Sequence, residues 1–162
     1  MTQDPVATIR AGVFGGVYPM PVDGLKASGR LVAELYHELD LGATLPRIRT
    51  LHVRGSRCRT SAGLFDELAA VLQFPAYFGG NWSALHDSLY DFQVPADAVI
   101  LVFSDFSQVL SEARQEELGW LLDELTELCG APHTPAAGEQ TVTALLTDRA
   151  DALSALPGLP AS

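Results

Sequence analysis

Apolar positions along this chain switch several times between the two-residue period of a strand and the period of a helix. Val13 to Tyr18 is apolar and aromatic around Gly15 and Gly16, and the Pro19-Met20-Pro21 break predicts that this short edge strand stops there. Asp23 then caps a helix whose Leu25, Val32, Leu35, Tyr36 and Leu39 fall on one stripe, with Gly42 ending it. Arg49 to Val53 alternates polar and apolar as a half-buried strand does. Thr60 or Ser61 caps the next helix, where Leu64, Leu68 and Leu72 share one face with Phe65 beside them, and Pro75 closes it. Asn81 is a good N-cap for a short helix from Trp82 to Tyr90.

Ala98 to Phe103 is a continuous run of apolar, largely β-branched residues, the pattern of a strand buried on both faces. Helical periodicity then returns in two pieces, a short one around Phe106–Leu110 and a longer one carrying Leu118, Leu121, Leu122, Leu125 and Leu128, ended by Gly130. Residues 131–139, rich in Pro, Ala and Gly, form a loop, and Thr141 to Thr147 alternates as a last strand. The tail after Asp151, with Pro157 and Pro160, is expected to be loosely held. Strands separated by long helical connections imply parallel pairing with right-handed crossovers. The expected fold is therefore α/β: three parallel strands, with the N-terminal strand as a candidate fourth, and helices covering the faces.

Composition narrows what such a fold does. The chain has 162 residues, 48% of them hydrophobic and 19% charged, enough for a buried core in one compact domain with at most an extra element. Its formal net charge is −10, which argues against a nucleic-acid binder because phosphate contacts need Lys and Arg. The charge is also uneven: residues 1–62 hold eight Lys/Arg against five Asp/Glu, and residues 63–162 hold two against fifteen. Between Arg59 and Arg114 there is no Lys or Arg. Either the acidic half serves solubility or it is a face for a basic partner. The cluster Arg47, Arg49, Arg54, Arg57 and Arg59 is expected to pair with acidic groups of the same molecule.

No apolar run approaches the roughly 18–20 residues of a membrane span. The opening Met-Thr-Gln-Asp-Pro lacks the basic start and apolar stretch of a secretory signal. Cys58 and Cys129 stand alone, as reduced thiols of a cytoplasmic protein do. His37, His52, His86 and His133 show no metal-ligand spacing, and GxSxG, HExxH and phosphate-binding glycine loops are all missing. No cofactor and no metal site is expected. An enzyme using Asp87 with His86, or Asp105 with a helix-borne Glu, as acid and base is the weakest reading, since no nucleophile accompanies them.

Residues 64–92 read LFDELAAVLQFPAYFGGNWSALHDSLYDF and carry the functional argument. At about 100° per residue, Trp82, Leu85, Leu89 and Phe92 cluster on one side of the helix after Asn81, with Trp82 expected in the core. Ser83, Asp87 and Tyr90 fall on the other side, with His86 and Asp91 at the flanks, and His86 is read as a solvated helix residue. Of the loop aromatics, Tyr77 is expected to face out and Phe78 in. The acidic series Glu112, Glu116, Glu117, Asp123, Glu124 and Glu127 reads as the wet side of the long helix.

The run Phe74-Pro75-x-Tyr77-Phe78-Gly79-x-Asn81-Trp82-x-Ala84-Leu85-x-Asp87-x-Leu89 resembles the barstar family, small intracellular inhibitors of secreted ribonucleases. The resemblance covers about residues 47–148 in the order β-α-α-β-α-α-β. It leaves 1–46 as a β-α extension like those of some relatives, and 149–162 as the tail. It implies a three-layer barstar-like fold and a stoichiometric inhibitor or immunity protein of the toxin–antitoxin kind, whose acidic helix and preceding loop plug a nuclease active site. No catalysis, membrane or nucleic acid is implied, and the free protein is expected to be a monomer. Carried over, Asp87 matches the family's central inhibitory carboxylate, and Tyr77 and Gly79 match loop contact positions. Asp91 is a helper from its geometry alone, and Glu124 is the nearest match to a further acidic contact from the helix before the last strand. Two positions depart: Ser83 stands where the motif usually has a second Asp, and His86 where barstar itself has Trp. The partner implied is a basic ribonuclease or related toxin; the alternative is a barstar-fold protein-binding or regulatory module whose partner is not a nuclease.

Overall fold

The computed structural model describes residues 15–22, 48–130 and 140–160. The helix expected after Asp23 and the loop at 131–139 lie outside the described residues. Four strands, β1 (Gly16–Pro21), β2 (Ile48–Arg54), β3 (Ala98–Ser104) and β4 (Thr141–Asp148), form one parallel sheet in the order β1-β4-β3-β2. The N-terminal strand is thus the fourth strand, at the edge beside β4.

The Pro19-Met20-Pro21 segment does not stop β1, as the sequence predicted, but continues it. The Val22 N–H donates to the Asp148 carbonyl at 2.8 Å. By the two-residue period of a strand, the amides of Met20 and Tyr18 share that direction, and positions 19 and 21 point their backbone away from β4. A proline there forfeits no ladder bond, which is why an edge strand tolerates two of them.

β3 is buried along its whole length, as its apolar run predicts. The alternation in β4 locates the strand but not its burial, since Val142 to Asp148 are all buried. A central strand has a neighbour on each side, and its threonines find partners: Thr147 Oγ1 donates to the Phe103 carbonyl at 2.7 Å, and Thr143 Oγ1 accepts from the Gly15 amide at 2.8 Å. One side of the sheet, with Val53, Val99, Leu101, Phe103, Val142, Ala144 and Leu146, joins the main core. On the other side Met20, Ile100, Val102 and Leu145 form a second buried cluster. Burial on both sides is what a three-layer α/β arrangement requires.

The helices α1 (Ser61–Leu72), α2 (Trp82–Asp91) and α3 (Gln115–Gly130) feed the main core with Leu64, Leu68, Leu72, Leu85, Leu89, Leu121, Leu125 and Leu128. Thr60 caps α1, its hydroxyl accepting from the Gly63 amide at 3.1 Å. The helix ends before Pro75 because Gln73 turns left-handed (φ 56°) and the Phe74 amide bonds back to the Ala69 carbonyl at 2.9 Å. Only one 3₁₀ turn, Phe106–Gln108, stands where the short helical piece was expected. The tail is not loose: a short helix, α4 (Ala150–Ser154), buries Leu153, and Leu156 and Leu159 rest on the core. A Cβ at Gly55 would run into the backbone oxygens of Ser104 and Asp105, so glycine lets the end of β2 sit against the end of β3. Arg54 grips the buried Glu67 with Nε at 2.8 Å and Nη2 at 3.0 Å, the internal pairing expected of the basic cluster.

Candidate functional site

The segment from Phe74 to Phe92 is built from its caps and turns upward. The Phe78 amide donates to the Pro75 carbonyl at 2.9 Å, closing a four-residue turn with Tyr77 at its tip. Tyr77 is therefore 84% exposed, while Phe78 turns inward to Phe74 and Phe65, with ring centroids 5.1 and 6.4 Å away. Gly80 adopts φ 64°, and Gly79 and Gly80 are both exposed where the loop swings into α2. Asn81 caps the helix, its Oδ1 accepting from the Ala84 amide at 2.8 Å.

The two sides of α2 separate as the periodicity predicts. Leu85, Leu89 and Phe92 are buried, and Trp82 packs edge-on against Phe65 at 5.3 Å. Ser83, Asp87 and Asp91 are exposed. A hollow of about 110 Å³ opens beside them, lined by Phe74, Pro75, Tyr77, Asp87, Ser88, Asp91 and Phe92. Among the described residues no Arg, Lys or His lies within ion-pair distance of Asp87 or Asp91. The arrangement is an apolar-floored recess with two exposed carboxylates one helical turn apart and an exposed phenol at its rim. Such a recess suits a cationic side chain of a partner better than it suits chemistry on a small molecule.

His86 keeps a half-exposed side chain, as a solvated residue would, but it is also paired. Its Nδ1 sits 3.0 and 2.9 Å from the two oxygens of Glu124, a bond that raises the imidazole above its ordinary 6.5. This contact belongs to a seam between α2 and α3 with positions one turn apart on α2. The Trp82 Nε1–H donates to Glu117 Oε1 at 2.9 Å, His86 meets Glu124, and Tyr90 faces Glu127. Burial first, then the bond to Glu127, pushes the Tyr90 phenol up to about 12.

Glu117 corrects the reading of α3's acidic series as wholly solvated. It is buried, and it accepts from Trp82 Nε1 and from Ser61 Oγ at 2.7 Å with one oxygen and from the Arg114 amide at 2.9 Å with the other. The Trp82 bond, followed by that of Ser61, holds its carboxyl below the usual range. Trp120, 39% exposed, extends the seam: it stacks edge-on with Trp82 at 5.7 Å and lies under the Arg114 guanidinium at 5.2 Å. Glu117 and Trp120 were missed as site-forming residues, and Tyr90, expected on the open face of α2, also joins this seam. The signal for them was the repeat of Trp82, His86 and Tyr90 at four-residue steps opposite an acidic helix.

Of the residues expected to contact a partner, Tyr77, Asp87 and Asp91 gather around one hollow, while Gly79 and Ser83 lie exposed in its approach loop and on the same helix. Glu124 lies on the neighbouring helix and is already engaged by His86. His86, Glu124 and Glu127 also bring three potential ligand atoms within 4.8 Å of one another, but the imidazole nitrogen and Glu124 satisfy each other. Cys58 and Cys129 are free and buried, and burial pushes both thiols up to about 12, so neither is a reactive thiolate.

Among the described residues no helix is long and apolar enough to cross a membrane. No curated protein matches this sequence. Among solved structures, the ADP form of the ORC2 protein from Aeropyrum pernix is 16% identical with a TM-score of 0.63, covering 93% of this chain and 41% of that one. The ADPNP–ADP complexes of the same protein are 18% identical with a TM-score of 0.57, covering 92% of this chain and 39% of that one. The chain thus spans about two-fifths of the ORC2 chains, and at these identities the likeness is one of fold alone. Residues 48–147 match the sequence profile described as Barstar (barnase inhibitor), which takes in all of β2, α1, α2, β3 and α3 and nearly all of β4. The match covers well over half of the sequence, and the chain belongs to the barstar family.

Proposed function

We propose that the protein is a stoichiometric inhibitor of a basic ribonuclease, blocking the enzyme's cationic cleft with the exposed side of α2 and the loop that precedes it. The observation that carries this reading is Asp87: an exposed carboxylate without a cationic partner among the described residues, beside Asp91 and the protruding Tyr77, on a helix anchored by Leu85 and Leu89. A rigid helix that presents a carboxylate in advance loses little ordering entropy on docking. In the bound state Asp87 takes the place of a substrate phosphate, and Tyr77 and Gly79 contact the rim. The inhibitor performs no catalysis and acts within the cytoplasm as an immunity protein for a co-inherited toxin.

Purified protein mixed with barnase, and with nucleases encoded beside its gene, tests this directly. One-to-one loss of ribonuclease activity is expected, and Asp87→Ala should weaken it by about 100-fold, as truncating one partner of a buried ion pair does. Undiminished inhibition by the variant would remove Asp87 from its role; no inhibition of any candidate would overturn the inhibitor reading. Ser83 favours a second reading, since an exposed hydroxyl stands where the family motif usually has Asp. A barstar-fold module for a different protein partner predicts capture of a non-nuclease in a pull-down. At 16% and 18% identity the ORC2 structures support the fold alone and favour neither reading.

A further inference from the structure

The carboxylates of the α2–α3 surface are not equally available. Asp87 and Asp91 are open, whereas both oxygens of Glu124 are taken by His86 Nδ1 at 3.0 and 2.9 Å. Among the described residues the groups facing the imidazole are Glu124 and Glu127 from α3, and Asp87 and Tyr90 from α2, with the Tyr90 ring 5.0 Å away. All the charges among them are negative, so the site favours the imidazolium, and the Glu124 bond contributes most. That imidazolium neutralises one carboxylate of the surface a basic partner would need. A guanidinium or ammonium reaching Glu124 competes with His86 for the same two oxygens.

We infer that docking of a cationic partner on the α2–α3 surface is coupled to release of a proton from His86. The inference rests on the docking reading above and adds a regulation to it. The exchange balances: one cationic group arrives at Glu124, the His86 N–H bond breaks, and its proton goes to bulk water while Glu124 stays ionised throughout. In the free protein the Glu124 hydrogen bond holds His86 above its ordinary 6.5. In the complex the arriving positive group takes over the Glu124 carboxylate, offsets its charge and brings the imidazole down. Between the two values the free form carries the proton and the bound form does not, so affinity rises with pH across that window. Above both values, and below both, it is flat. One proton sets a ceiling of about tenfold in affinity per pH unit.

The test uses the full chain and a hexa-arginine peptide, with EDTA present to keep divalent ions from His86, Glu124 and Glu127. The imidazole Cε1–H resonance of His86 is followed from about pH 5 to about pH 9 with and without saturating peptide, across the range where histidine titrates. Calorimetry in two buffers of different ionisation enthalpy gives the protons released. The titration midpoint of His86 should fall when peptide binds, with release of up to about one proton per complex. Glu124→Gln should lower the midpoint in the free protein and abolish the release. Binding with an unmoved or raised midpoint, or release that survives in His86→Gln, overturns the coupling alone. Absence of peptide binding at every pH overturns the docking reading and the coupling with it.

Discussion

Glu117 is a buried carboxylate held by Trp82, Ser61 and the Arg114 amide, so its removal strands a half-buried indole N–H and a half-buried hydroxyl. Hydrogen bonds to a charged group contribute about 1.5–3 kcal/mol each, and Glu117→Ala should lower stability by about 3 kcal/mol in urea unfolding. Glu67 is the second such carboxylate, held down first by its hydrogen bond to Arg54, as Glu117 is by Trp82. Both pKa values are lower in the folded chain than the ordinary 4.5, so near that value the unfolded state binds more protons. Their stabilisation is complete above the ordinary value and is lost as pH falls through the depressed ones. Urea midpoints measured at decreasing pH should drop in that window, and Glu117→Gln should flatten the drop; an unchanged profile would assign the acid sensitivity to other groups.

At the scale of elements, α2 depends on its first turn. Asn81→Ala removes the Oδ1 acceptor of the Ala84 amide and should cost about 1 kcal/mol. Hydrogen exchange should quicken first at residues 83–85, while the β3 amides stay protected. This helix also shows what the sequence makes legible. Its cap, its buried stripe of Leu85, Leu89 and Phe92, and its exposed Asp87 all follow from local spacing, as do the exposure of Tyr77 and the burial of Phe78. The pairing of His86 with Glu124, and of Trp82 with Glu117, was not legible, because it depends on which turn of α3 meets which turn of α2. The burial of β4 was hidden for the same reason: its neighbours are β1 and β3, and β1 lies more than a hundred residues away in the chain. Gln73 gave no sign either, since a left-handed helix end is expected of Gly or Asn rather than Gln.

For the whole molecule the charge asymmetry takes on a kinetic meaning. Of the basic cluster, Arg54 is committed to Glu67 and Arg59 to Gln108, while Asp87, Asp91, Asp123 and Glu127 remain exposed around α2 and α3. With a net charge of −10, the protein should attract a basic enzyme over distances beyond contact. Stopped-flow mixing with barnase should show an on-rate that falls about tenfold or more between roughly 10 mM and 500 mM salt, with a smaller change in the off-rate. Insensitivity of the on-rate to salt would mean that the acidic half serves solubility only.

The two prolines of β1 have a colloidal consequence. A sheet propagates from molecule to molecule when a rim strand offers a regular row of amide donors to an incoming strand. At positions 19 and 21 that row has no hydrogens to give. The β1 rim is thereby a poor template for a cross-chain ribbon between copies of this protein.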